Sequence, residues 1–445
     1  MTPPDRGHAT PTAERLLARP VPDVTIRTRS VGDQGLVAEL TSPAVSGELV
    51  VRFCKQSTVR SCCAALGREI TRTIAKVQTD GDLPLPAAGW TVDQLAQAGR
   101  VFLGYALDDA RTADGEMLDF FAAACPTPFE SADPPLIHVV AGQDEYVPWE
   151  MLPLFEGSDS VHISDMPQLE AACRTFPGFA AVVERYHYAG TESIDYLSAW
   201  DRLPVRMIYH HRYQGAQAEL GFFRACDQVV LEGPFPRDAK DGSAPSLARQ
   251  LFDPRIGIDG AVRLYRDQVV HIACHCAAES SDDIDSYAFH FSDARDNGLV
   301  VRLRDLVGDL VRLWRDHRRS GNGALNTTHA APMPMVFLNA CGTAPLDPTR
   351  YLSFLKPFHE MRNPSIIATA GNIPDRIAAA FSRVFYSALL QGQTVGRALH
   401  SAKWRLLQDR GNPLGLMYSV HGSANLRILP VPMPSREPIL RLEQP

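Results

Sequence analysis

From residue 204 onward, short apolar runs alternate with helical stretches, and this alternation constrains the fold more than any single residue does. VRMIYHH reads as a strand and AQAELGFFRAC as a helix; VVLEG is a strand and AVRLYRDQ ends a helix. VVHIACHC and AFHFS are strands separated by an acidic loop, and VVRLRDLVGDLVRLWRDH is a long amphipathic helix. MVFLNAC and SIIATA are further strands. DRIAAAFSRVFYSALLQG is a helix ended by Gly392, and TVGRALHSAKWRLLQDRGN a helix started by Thr394 and stopped by Gly411. Strands that alternate with helices predict a mostly parallel sheet covered on both faces, an α/β fold.

The rest of the chain reads differently. Residues 1–22, rich in Pro, Arg and Asp, and residues 431–445 read as loose tails. VTIRTRS, LVAEL and ELVVRF read as short strands of an N-terminal β-rich region over residues 23–92, and SCCAALGREITRTIAKV has helical spacing at Ala65, Ile70, Ile74 and Val77. LIHVVAG, residues 136–142, reads as a buried strand in a connecting part over residues 93–203, and residues 204–430 form the main unit.

Composition narrows the classes of function. Of 445 residues, 45% are hydrophobic and 21% charged, as in a globular protein, and the net charge of −7 argues against a nucleic-acid partner. No stretch reads as a membrane span, and the start has no apolar signal region. Nine scattered cysteines, several in apolar runs, read as reduced thiols in a cytoplasm.

The stretch VVHIACHCAAES holds His271, Cys274, His275 and Cys276. On a strand His271 and His275 share one face, and Cys274 and Cys276 share the other. Four groups split between two faces do not surround one metal ion, and no second Cys-x₂-Cys pair accompanies them. The end of the strand is more informative, because in open parallel sheets chemistry gathers at the carboxyl ends of strands. His275 is at that end, and the similar strand MVFLNAC ends in Cys341. An imidazole beside a thiol can take its proton and later return it to a leaving amine. Gly342 permits a tight turn that exposes the sulfur and offers a backbone N–H to an oxyanion.

VVHIACH, VFLNACGTA and SIIATAGNIPDRIAAAFSRVFYSALLQGQTVGRALHSAKWRLL resemble the CHAT domain, a family related to caspases and separases. YVPWEMLPL resembles that family's Pro-Trp/Phe-Glu-x-Leu element, and AQAELGFFRAC its helix before the His strand. The resemblance covers roughly residues 95–430. It implies the caspase-haemoglobinase fold, with His275 as general base and Cys341 as nucleophile of a peptidase dyad. The family usually has Gly after the His, where this chain has Cys276; that position and Gly342 lend backbone N–H groups to the oxyanion. Asp375 matches the family's acidic position. Asn339 is placed in the pocket for the residue before the cut. Thr369, Ala370, Gly371 and Asn372 are expected to line its far side and pair with substrate backbone, with Asp285 within reach from a loop. A pocket without fixed charge predicts a neutral residue before the cut.

These readings give a cytoplasmic cysteine endopeptidase that cuts specific protein partners, with no cofactor and no metal. By resemblance such enzymes act in bacterial, including antiviral, defence or death systems. A chain without repeats would need a sensor protein in trans to switch it on. A second class of reading is a catalytically inactive CHAT-like scaffold; a third, a thiol redox or zinc-binding module, is disfavoured by the strand alternation. His271 is expected to be a structural hydrogen-bonder. His210 and His211 are expected on the other half of the sheet, away from the chemistry.

Overall fold

The computed structural model describes residues 20–32, 35–77, 81–125, 133–142, 145–155, 163–187, 196–199, 202–237, 243–252, 268–278, 287–293, 295–319, 333–340, 346 and 355–430. The strands are β1 (Val24–Ser30), β2 (Leu36–Thr41), β3 (Glu48–Arg52), β4 (Leu136–Ala141), β5 (Val182–Tyr186), β6 (Tyr196–Ala199), β7 (Leu203–Tyr209), β8 (Val229–Phe235), β9 (Val269–Ala278), β10 (Tyr287–Ser292), β11 (Gly298–Arg302), β12 (Met335–Ala340), β13 (Ser365–Thr369), β14 (Tyr418–Gly422) and β15 (Arg427–Pro430). All but β6 and β15 join one sheet in the order β11-β10-β9-β12-β13-β14-β5-β4-β1-β2-β3, with β7 pairing β9 and β8 pairing β7. Pairing is parallel from β8 through β7, β9 and β12 to β13, and again from β14 through β5 and β4 to β1. The antiparallel β13–β14 pair joins these two runs. This is the mostly parallel α/β fold expected from the alternation of elements.

The first strands differ from the sequence reading. β1 pairs β4 in parallel, so β1, β2 and β3 extend the central sheet instead of forming an appended region. The residues that follow form two long helices, Gln56–Lys76 and Leu85–Ala106, and the boundary drawn at 92 falls inside the second. The alternation of β1 is real, with Val24, Ile26 and Thr28 buried. A period of two shows which face is buried and says nothing of which strand lies alongside.

The helix ends follow local chemistry. Thr394 caps the Val395–Arg410 helix by accepting from Arg397 N–H at 3.3 Å. Gly411 ends it in the left-handed region at φ +61°, and a Cβ there would meet Leu83 O at 2.6 Å.

Tyr-Val-Pro-Trp-Glu is a structural anchor. Trp149 is buried against Phe53, with ring centroids 5.9 Å apart. Glu150 forms a buried ion pair with Arg185 at the end of β5, and the same guanidinium donates to Val147 O at 2.9 Å. Buried Lys403, held down to about 8 by burial, donates to Gly178 O at 2.9 Å. Removing one partner of such a buried pair costs on the order of 3–5 kcal/mol, because the other charge is left uncompensated.

Three imidazoles meet in the core beside β5 and β14. His187 lies 4.9 Å from His359 and 5.9 Å from His421, centroid to centroid. Burial, first, and then neighbouring positive groups hold His187 and His421 well below the usual histidine value; burial alone holds His359 down to about 4. Protons therefore bind the unfolded chain in preference. The stabilisation is full above about pH 6.5 and is lost as pH falls toward the folded values. Each such histidine steepens the loss by about 1.4 kcal/mol per pH unit. Urea unfolding followed between pH 7.5 and 4.5 should show a midpoint that falls below pH 6.5, and His359→Phe should flatten that fall.

Candidate active site

β9 brings the parts of the site together. Along one edge it pairs β12 in parallel, from Met335↔Val269 to Ala340↔Cys274. Its other edge is shared. β7 runs parallel to it as far as Tyr209↔Ala273, and β10 runs antiparallel over Tyr287↔Ala278 to His290↔His275. His275 is therefore at the carboxyl rim of the parallel sheet, where the second neighbour takes over from the first.

His275 is half-buried, and its ring is 5.6 Å from that of His290. Burial, first, and then the like-charged neighbour hold its imidazole below the usual histidine value. At neutral pH the ring is uncharged and able to accept a proton. His290 was not singled out in the sequence, though a polar residue between Phe289 and Phe291 on a strand is a usable signal. Removing a cation-forming neighbour raises the affinity of His275 for a proton. His290→Gln should thus move the acid limb of any His275-dependent activity to higher pH, read from a pH–rate profile.

His210 requires a correction. It is not remote from this rim: β7 is the direct neighbour of β9, and His210 N–H donates to Ala273 O at 2.8 Å. Its Nδ1 is 3.1 Å from Ser292 Oγ, and His275 and His290 are among the groups that lower its proton affinity, after burial and Arg212. Strand order is not encoded in hydrophobic periodicity, so the sequence placed His210 too far away.

Beneath the rim is a buried polar network centred on Glu219 of the Gln214–Ala225 helix, which is 2% exposed. Asn339 of β12 donates its amide to Glu219 Oε1 at 2.5 Å, and Ser382 Oγ donates to the same oxygen at 2.5 Å. Glu219 Oε2 is 3.2 Å from Nε2 of His271 on β9. His271 Nδ1 is 3.1 Å from Tyr386 Oη, so this histidine is a structural hydrogen-bonder. Tyr418 Oη donates to Asn339 Oδ1 at 2.8 Å. One carboxylate thus links β9, β12 and the Asp375–Leu390 helix. Asp375, at the start of that helix, accepts from Gly215 N–H at 2.5 Å and so fixes the helix that carries Glu219.

The residues expected around the substrate fall into two groups. Asn339 and Thr369 are 8% and 1% exposed, and both are engaged: Thr369 Oγ1 donates to Ala340 O at 2.8 Å. β13 ends at Thr369 between β12 and β14, and Ala370 N–H donates to Met417 O at 2.9 Å. β13 is paired with β14 through Thr369. Gly371 is buried, and a Cβ there would meet Ile74 Cδ1 at 2.7 Å; Asn372 is exposed. Cys276 is 5% exposed and opposite Phe289, on the face of β9 away from His275. Cys341, Gly342, Asp285 and the acidic loop before β10 lie outside the described residues. Among the described residues no group of three His, Cys, Asp or Glu is arranged to hold a metal ion, and no helix is long and apolar enough to cross a membrane.

The class defined here is a mostly parallel α/β protein with a neutral imidazole at the carboxyl rim, beside the strand that leads into Cys341. Residues 249–428 match the family model of the CHAT domain, in line with the resemblance drawn from the motifs inside that stretch. A probable protease of Vitiosangium sp. (strain GDMCC 1.1324) is 31% identical over 100 residues, which is 22% of this chain and 13% of that protein. Two crystal structures of the Saccharomyces cerevisiae separase–securin complex align with 92% and 91% of this chain and 30% of theirs, at 9% identity and TM-scores of 0.43 and 0.42. The chain therefore spans a small part of the length of each of these proteins.

Proposed function

We propose that this protein is a CHAT-type cysteine endopeptidase, with Cys341 as nucleophile and His275 as general base. The observation that carries this reading is the shared Glu219 carboxylate beneath two paired strands. His271 and Asn339 both face it, and the β9–β12 register runs to Ala340↔Cys274. The next residues out are 275 and 341. Strand alternation puts His275 on the face of His271.

In this mechanism His275 takes the proton from the Cys341 thiol as sulfur bonds to the scissile carbonyl carbon. The carbonyl oxygen becomes an oxyanion, held by backbone N–H groups at Gly342 and Cys276. The C–N bond then breaks as the imidazolium gives its proton to the leaving amine. Water, deprotonated by His275, attacks the thioester and releases the acid and the free thiol. The pocket for the residue before the cut has Asn339 and Thr369 in its floor and Asn372 at its edge, all uncharged. It takes a neutral side chain.

The substrates are specific protein partners, and the setting is a bacterial, antiviral-type defence system in which a sensor protein switches the enzyme on. An endopeptidase left active in a cytoplasm would be toxic, so the isolated chain has little activity. A thiol-reactive, peptide-like probe tests the assignment. Labelling mapped by mass spectrometry to Cys341, and lost in His275→Ala, is the expected result. Absence of Cys341 labelling with the switching partner present would leave the inactive scaffold.

A further inference from the structure

A cavity of about 320 Å³ opens at the carboxyl ends of β7 and β8, against the Gln214–Ala225 helix. Tyr209, His211, Gln217, Arg224, Pro234 and Arg237 are among its walls, and none of the described residues lining it is acidic. It is one strand away from β9, on the side opposite the proposed pocket for the residue before the cut.

The neighbours of His211 select the tautomer of its neutral ring. Gln217 Nε2 is 2.9 Å from His211 O and 2.9 Å from His211 Nδ1. A carbonyl oxygen only accepts, so the Gln217 atom facing it is the amide nitrogen, and it donates. The Tyr209 hydroxyl also lies 3.1 Å from Nδ1. Nδ1 therefore carries the lone pair, and the proton of the neutral ring is on Nε2. The wall then offers an N–H donor beside two exposed guanidinium groups, Arg224 and Arg237. A carboxylate is the ligand that matches such a set, since guanidinium and carboxylate pair in a bidentate fork.

We propose that this cavity is a specificity subsite for an acidic side chain of the substrate on the leaving side of the cut; the assignment to substrate rests on the peptidase reading. Adjacent strands are about 4.8 Å apart, so the ends of β7 and β8 are about 5–10 Å from β9. An extended peptide advances about 3.3 Å per residue, which brings the second to fourth residue after the cut over the cavity.

The test uses the full-length Cys341→Ala chain and fluorescent octapeptides with a single Glu at the second, third or fourth position after the cut, each against its Gln counterpart. One Glu position is expected to bind at least tenfold tighter than Gln. Arg224→Glu/Arg237→Glu should abolish that preference and favour a Lys at the same position; Arg224→Gln is the second variant should the double charge reversal disturb folding. Equal binding of Glu and Gln peptides, or a preference that survives both sets of substitutions, would overturn the proposal. Inorganic phosphate serves as competitor. Saturation by phosphate with no Glu preference would make this a free-anion site and overturn the substrate assignment. An Arg-dependent Glu preference in a chain that cuts no peptide would uphold the cavity and reject the dyad.

Discussion

Cys341→Ala and His275→Ala are each expected to lower cleavage by on the order of 10⁴-fold or more, since the members of a nucleophile–base pair act as a unit. The double variant should be no worse than either single one. The helical circular dichroism and unfolding midpoint should change little. His275 is half-buried at the rim, and its removal opens no cavity in the apolar core. The informative comparison is His275→Ala against His271→Ala. His271 is fully buried between Tyr386, Phe337 and Phe223, and its loss should damage folding as well as activity. Cleavage of a partner that persists in Cys341→Ala would remove the mechanism.

Much of this architecture was legible because local signals coincided. The end signals at Thr394 and Gly411 are local backbone chemistry, and both act as expected. The facing of His271 follows from strand alternation alone. What stayed hidden was lateral order. β14 enters between β13 and β5, antiparallel to the first and parallel to the second. β7 lies directly against β9, which brings His210 to the rim; no periodicity carries that information. Glu219 stood out only as part of the helix pattern, and its buried role was missed for another reason. Ala216, Glu219, Leu220 and Phe223 fall at one helical spacing and are all buried, so the glutamate is part of the apolar stripe. A charged residue inside such a stripe signals a partner waiting in the core. The partners, Asn339, Ser382 and His271, come from three distant segments, which the sequence alone does not bring together.

That network supports the second large prediction. Glu219→Ala is expected to destabilise the protein by on the order of 3–5 kcal/mol. The Asn339 amide and Ser382 hydroxyl would each lose an acceptor in a buried site, at about 1–3 kcal/mol for a buried polar group left unpaired, and His271 would lose the carboxylate 3.2 Å from its Nε2. Some of this cost would be recovered by relaxation around the small cavity. Glu219→Gln separates charge from shape: its amide oxygen can still accept from Asn339 and Ser382, while its amide nitrogen faces His271. Folding should survive in Glu219→Gln with an unfolding midpoint much closer to the parent than that of Glu219→Ala. Thermal and urea unfolding of the three proteins at pH 7.5 would decide. Equal stability of Glu219→Ala and the parent would show that the carboxylate does not hold the two strands together. With the expected order, β9 and β12 are tied near their ends by the one carboxylate beneath them.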